Sequence, residues 1–150
     1  MDVLDEVSPI TAPSAASAAP QRLHAGLHAA IFAGGVVGAL VRAGLTKAFP
    51  WDGHGWPWAT FIVNVAGTVL LGYFATRLQE RLAPTTYWRP LLGTGFCGAL
   101  TTFSTLQLEL LKLAHNDAPG TAIAYGATSL VTGLAGAYLA TTLTRRVRLR

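Results

Sequence analysis

The chain has 150 residues, of which 51% are hydrophobic and only 12% are charged, against roughly a quarter charged in an ordinary soluble domain. A single cysteine, Cys97, excludes an intramolecular disulfide framework and a cysteine-rich metal site. The net charge of +4 is modest, and several basic residues flank apolar runs instead of forming a basic soluble face. That pattern argues against nucleic acid as a partner and for a lipid bilayer.

Residues 1–22 are rich in Ala, Ser and Pro and carry Asp2, Asp5 and Glu6. They lack the basic start and apolar core of a signal peptide, so a disordered tail is expected. Residues 23–145 form the expected membrane domain, with spans at about 25–48, 56–78, 89–112 and 118–143. A bilayer crossing takes about 20 mostly apolar residues, so four crossings are predicted. Residues 146–150 are a short basic tail. The connectors are short, and the fold class expected is an all-α membrane protein of four antiparallel helices. Trp51, Trp56, Trp58 and Trp88 fall at predicted span ends, where amphipathic rings favour the headgroup layer. An even number of spans puts both termini on one side, with the second loop. That side carries Arg22, Arg77, Arg81, Arg89, Arg145, Arg146, Arg148 and Arg150, whereas the other has only Lys47 and Lys112. The bias predicts a multi-pass cell-membrane protein with both termini in the cytoplasm.

Polar groups inside spans are costly and mark function. In span one, Gly34 and Gly38 let a helix approach closely, and Arg42 either faces protein or a water-filled vestibule or snorkels to the interface. Asn64 lies near the middle of span two, with Thr60 one turn earlier on the same face. Its amide serves either as a donor to an anion or as a helix–helix hydrogen bond. In span three, Gly93, Gly95 and Gly98 precede Thr101, Thr102, Ser104 and Thr105, a run that weakens a helix. A break at membrane depth needs protein or a cavity beside it, and freed carbonyls there bind cations. Phe103 either turns an electropositive edge to an anion or packs in the core. Glu109 is an interfacial charge or lines a vestibule. In span four, Tyr125 and Ser129 share a stripe that Gly133 continues, a polar track or ordinary interhelical bonding. His24, His28, His54 and His115 are scattered, and no phosphate-binding glycine loop is present, so no enzyme is expected. Donors, an aromatic edge and a broken helix near one depth read as a pore or carrier for a small anion.

The stretch Gly95-Phe96-Cys97-Gly98-Ala99-Leu100-Thr101-Thr102-Phe103-Ser104-Thr105, followed by Glu109, resembles the signature of the CrcB/Fluc fluoride channels. The resemblance extends over roughly residues 25 to 145, through Gly34 to Arg42 in span one, Thr60, Asn64 and Gly67 in span two, and Tyr125 and Ser129 in span four. It implies an antiparallel dimer of four-span subunits with two fluoride pores and broken third helices that cross at the centre. It implies one structural sodium ion held by backbone carbonyls, here those of Gly98 and Thr101. It implies a fluoride path along Phe103, Asn64, Tyr125 and Ser129, with Thr60 nearby, and passive export that keeps cytoplasmic fluoride low. Two positions depart from the pattern. Leu106 stands where the family often has a second aromatic, and Gly133 where some members have a further hydroxyl. The charge bias favours one orientation, so the dimer expected is either with itself or with an oppositely oriented paralogue. The alternative reading is a structural, poorly conducting subunit of a heterodimeric fluoride channel.

Overall fold

The computed structural model describes residues 15–81 and 87–147. The expected tail over 1–14, the loop over 82–86 and the last basic residues at 148–150 lie outside the described residues. Helix α1 spans Ala15–Ala48. Its start, AASAAPQRLHAGLHAA, is alanine-rich, and alanine has the highest helix propensity. The helix therefore begins within the stretch expected as tail. Helix α2 spans Trp58–Arg81. A π-helical stretch, Pro90–Cys97, runs into one α turn, Gly98–Leu100, and the two together form α3. Helix α4 spans Phe103–His115 and α5 spans Pro119–Arg146.

Among the described residues, three stretches are long and apolar enough to cross a membrane: His24–Ala48, Trp58–Leu78 and Pro119–Arg146. Residues 90–115, expected as one span, form the two shorter pieces α3 and α4. Between them Thr101 (φ −79°, ψ 152°) and Thr102 (φ −147°, ψ 115°) are extended. Among the described residues there is no strand.

Large apolar side chains face outward along the helices. Phe32 and Ile123 are each 74% exposed, and Tyr138 is 70% exposed. In water such a surface would drive association; in lipid it is the solvated face. The molecule is a helical membrane protein.

The interior is correspondingly small, and backbones approach closely to make it. α1 packs mainly along α3, and α2 along α5. A Cβ on Gly34 would run into the Leu91 carbonyl oxygen, and one on Gly38 into that of Phe96. The small-xxx-small pair is thus the seam between α1 and α3. A cluster of buried apolar side chains sits at one end of α4 and α5, where Leu113, Ala122 and Tyr125 are enclosed by Trp51, Trp56, Phe61, Leu106 and Leu110. Trp56 therefore packs inward, edge-on to Tyr125 at a centroid distance of 5.3 Å, whereas Trp58 and Trp88 are more than half exposed. The Asn116 amide donates to the Gly53 carbonyl (3.1 Å) and ties the α1–α2 loop to the end of α4.

Candidate ion pathway

The joint between α3 and α4 is built from four groups. In a continuing helix the Thr102 N–H would donate to the Gly98 carbonyl. It donates instead to Asn64 Oδ1 (2.8 Å), and Asn64 Nδ2 donates back to the Thr102 carbonyl (3.0 Å). One carboxamide on α2 thus takes the N–H that the break frees and adds a second donor to the carbonyl that opens α4. Past the joint, the Thr102 hydroxyl caps α4 by accepting the Thr105 N–H (3.3 Å). That N–H would otherwise have gone to the Thr101 carbonyl. The carbonyls of Gly98 and Thr101 therefore both lose their helical donors, and Gly98 is exposed with open space around its Cα. Two freed, neutral oxygens on one short segment are the donor type that suits an alkali cation. Among the described residues no cluster of His, Cys, Asp and Glu is placed to hold a metal ion, so backbone oxygen is what the joint offers.

Glu109 is 7% exposed and lies inside the protein. Thr60 donates to its Oε1 (2.6 Å) and Tyr125 to its Oε2 (2.7 Å). One carboxylate thereby joins α2, α4 and α5. Of its two readings from sequence, interfacial charge and vestibule lining, neither anticipated this shared acceptor. An acid within an apolar run needs donors, and that was the signal available.

Two of the cavities beside the joint hold most of the candidate residues. A groove of about 430 Å³ brings together Asn64, Phe103 and Ser129, with Thr68, Leu106, Leu110, Gly126 and Gly133 in its walls. Phe103 is 70% exposed, and the Ser129 hydroxyl is buried with no partner. Tyr125 is fully buried behind the groove with its hydroxyl turned to Glu109. The Tyr125–Ser129 stripe thus divides between core and groove. Leu106, the position lacking the family's second aromatic, lines the groove near Phe103. On the other side, a cavity of about 400 Å³ is lined by Arg42, Lys47, Thr46, Thr60, Thr102 and Thr105, with Ala39, Ala43 and Val63 and no acidic residue. Arg42 thus faces a cavity. Lys47, Thr46 and Thr105 join it there; helix spacing brings Thr46 and Lys47 near Arg42, but only the tertiary packing adds Thr105.

Comparison with known proteins gives the family. The family described as "CrcB-like protein, Camphor Resistance (CrcB)" matches residues 29–141. The chain belongs to that family. A relative from Mycolicibacterium paratuberculosis, named fluoride-specific ion channel FluC 1, is 54% identical over 122 residues, covering 81% of this chain and 92% of the relative. One from Phenylobacterium zucineum, named fluoride-specific ion channel FluC, is 40% identical over 117 residues, covering 77% and 92%. A third, FluC 1 of Ligilactobacillus salivarius, is 37% identical over 105 residues, covering 70% and 88%.

Proposed function

We propose that the chain is the subunit of a fluoride-specific channel that lets the ion leave the cytoplasm passively. The observation that carries this reading is the groove that gathers Asn64, Phe103 and the unpartnered Ser129 hydroxyl. Fluoride is small and tightly hydrated, so a selective pore must replace its water with close donors. The Asn64 amide keeps a second N–H after its bond to Thr102. Ser129 has a hydroxyl without a partner, and the ring edge of Phe103 carries positive charge density. None of these is a fixed charge that would trap the ion. Thr60 and Tyr125 act behind the groove through Glu109. The names of the relatives support the same substrate.

On this reading α3 and α4 together make the third of four crossings, and both termini lie in the cytoplasm. Two subunits pack antiparallel around their joints, with a sodium ion held by the carbonyls of Gly98 and Thr101. Bound there, the cation would offset the carbonyl dipoles that converge at the joint. The loop charges favour a single insertion direction, which suits a partner chain of opposite orientation. The purely structural role is not favoured, because the groove retains its donors and the relatives carry the channel name. Liposomes loaded with fluoride and carrying the purified chain, alone and with a candidate paralogue, test the proposal with a fluoride electrode. Rapid efflux of fluoride but not chloride is expected. No efflux in either arrangement would refute it.

A further inference from the structure

Between α2 and α3 lies a third cavity, of about 390 Å³, that contains none of the proposed fluoride donors. One wall is a stripe on α2, made of Leu71, Phe74, Ala75 and Leu78, whose spacing puts them on one face. The other wall is α3, where Gly93 and Gly98 present bare backbone with open space beside each. Arg89 and Thr94 line this wall as well. Arg89 and Gly98 are about two and a half α-helical turns apart, which would set them on opposite faces of an α-helix. The π-helical winding of Pro90–Cys97 is wider, and its five-residue spacing stacks Arg89 with Thr94 and Gly93 with Gly98. Such windings are rare and occur mostly at functional sites. Here the winding sets a guanidinium and an apolar slot on one side of α3.

We propose that this cavity binds one anionic phospholipid, with its phosphate on Arg89 and an acyl chain along the α2 stripe. No acidic residue lines the cavity, so a ligand supplies the counter-charge for Arg89 there. A guanidinium fork matches phosphate geometry, and basic pockets between membrane helices take anionic headgroups. Depth agrees with this occupant. Trp88, the neighbouring residue, is exposed, and exposed tryptophans favour the headgroup layer. The slot then runs from that layer into the hydrocarbon. From Leu78 to Leu71 it covers about 10 Å of helix, roughly two thirds of one leaflet's apolar depth. Gly93 and Gly98 keep it open, because a side chain at either position would fill it. Free phosphate would gain nothing from these apolar walls, whereas an acyl chain fits them. The inference rests on no step of the channel reading.

Native mass spectrometry of the purified chain, equilibrated in detergent with phosphatidylglycerol or phosphatidylcholine, tests the site. The parent is expected to retain one phosphatidylglycerol per chain. It should hold that lipid about tenfold more tightly than phosphatidylcholine, whose own ammonium offsets its phosphate. Arg89→Gln should abolish the preference, whereas Arg77→Gln, outside the cavity, should keep it. Ala75→Leu fills the slot with Arg89 still in place and should weaken retention of both lipids. Circular dichroism checks that each variant is folded. Equal retention of the two lipids by the parent would overturn the inference. So would an equal loss in Arg89→Gln and Arg77→Gln, which marks diffuse surface charge, or unchanged retention in Ala75→Leu. Displacement of the lipid by excess inorganic phosphate would overturn it as well, by reducing the site to an anion site. A parent that retains no lipid, with dimers lost in Ala75→Leu, would overturn it by giving the cavity to a second subunit.

Discussion

Asn64→Ala tests the clamp that holds α3 and α4 in register. The substitution removes the acceptor of the Thr102 N–H and the donor to the Thr102 carbonyl at once. Thr102 is 8% exposed, so little water stands ready to replace them. The Thr102 carbonyl keeps the Leu106 N–H that opens α4, so one buried group is left unpaired, at about 1–3 kcal/mol. At about 2–4 °C per kcal/mol for a chain of this size, the melting temperature should fall by about 2 °C or more. Efflux should be lost as well, because the joint and the groove share this residue. Asn64→Asp keeps one bond and inverts the other. Its oxygen still receives the Thr102 N–H, but its second oxygen faces the Thr102 carbonyl at the 3.0 Å now spanned by the Nδ2 bond. Two acceptors then oppose each other, and a negative charge stands on the proposed anion path. Efflux should vanish, with a loss of stability at least as large as in Asn64→Ala, because a carboxylate held in the membrane carries its own cost. Both are read by tryptophan fluorescence during heating in detergent and by the fluoride electrode. An Asn64→Ala protein that melts at the parental temperature and still conducts would refute the clamp.

Phe103→Ile should leave the melting temperature unchanged, because the ring is 70% exposed, and abolish efflux; undiminished flux would remove the aromatic edge from the pathway. Gly38→Ala should sharply destabilise the protein, since its Cβ meets the Phe96 carbonyl and a backbone oxygen cannot rotate away. Gly44→Ala, with nothing near its Cα, should gain about 0.5–1 kcal/mol from helix propensity, and thermal melts of the pair check the seam. Glu109→Ala leaves the Thr60 and Tyr125 hydroxyls unpaired at about 1–3 kcal/mol each. A double-mutant cycle with Tyr125→Phe should show coupling beyond the roughly 0.5 kcal/mol expected of independent sites, and its absence would disprove the shared acceptor.

The long helices were legible because lipid demands uninterrupted apolar runs, and this demand is visible in one dimension. The extended residues Thr101 and Thr102 lie among glycines and β-branched hydroxyl residues, which are poor helix formers wherever they occur. Partners were not legible. Asn64 and Thr102 are 38 residues apart, and Thr60 and Glu109 are 49 apart. Helical spacing says which face a side chain shares but not which helix covers that face. This is why Tyr125 and Ser129, on one stripe, end in different surroundings: α4 brings Glu109 against the first and leaves the second, buried and unpartnered, in the wall of the groove.

Of the two readings of Asn64, the bond between helices is present and leaves room for the proposed anion donor. A carboxamide has two N–H groups and one carbonyl. The grip on Thr102 uses the carbonyl and one N–H, and that pair of bonds fixes the plane of the amide. The remaining hydrogen then points in a direction set by the joint and not by thermal rotation. A donor fixed in advance need not be reoriented when the ion arrives, and the gain from meeting a small anion is correspondingly larger. The break in α3–α4 is therefore more than a place where carbonyls come free. It frees the Thr102 N–H that, with the Thr102 carbonyl, holds the Asn64 amide still.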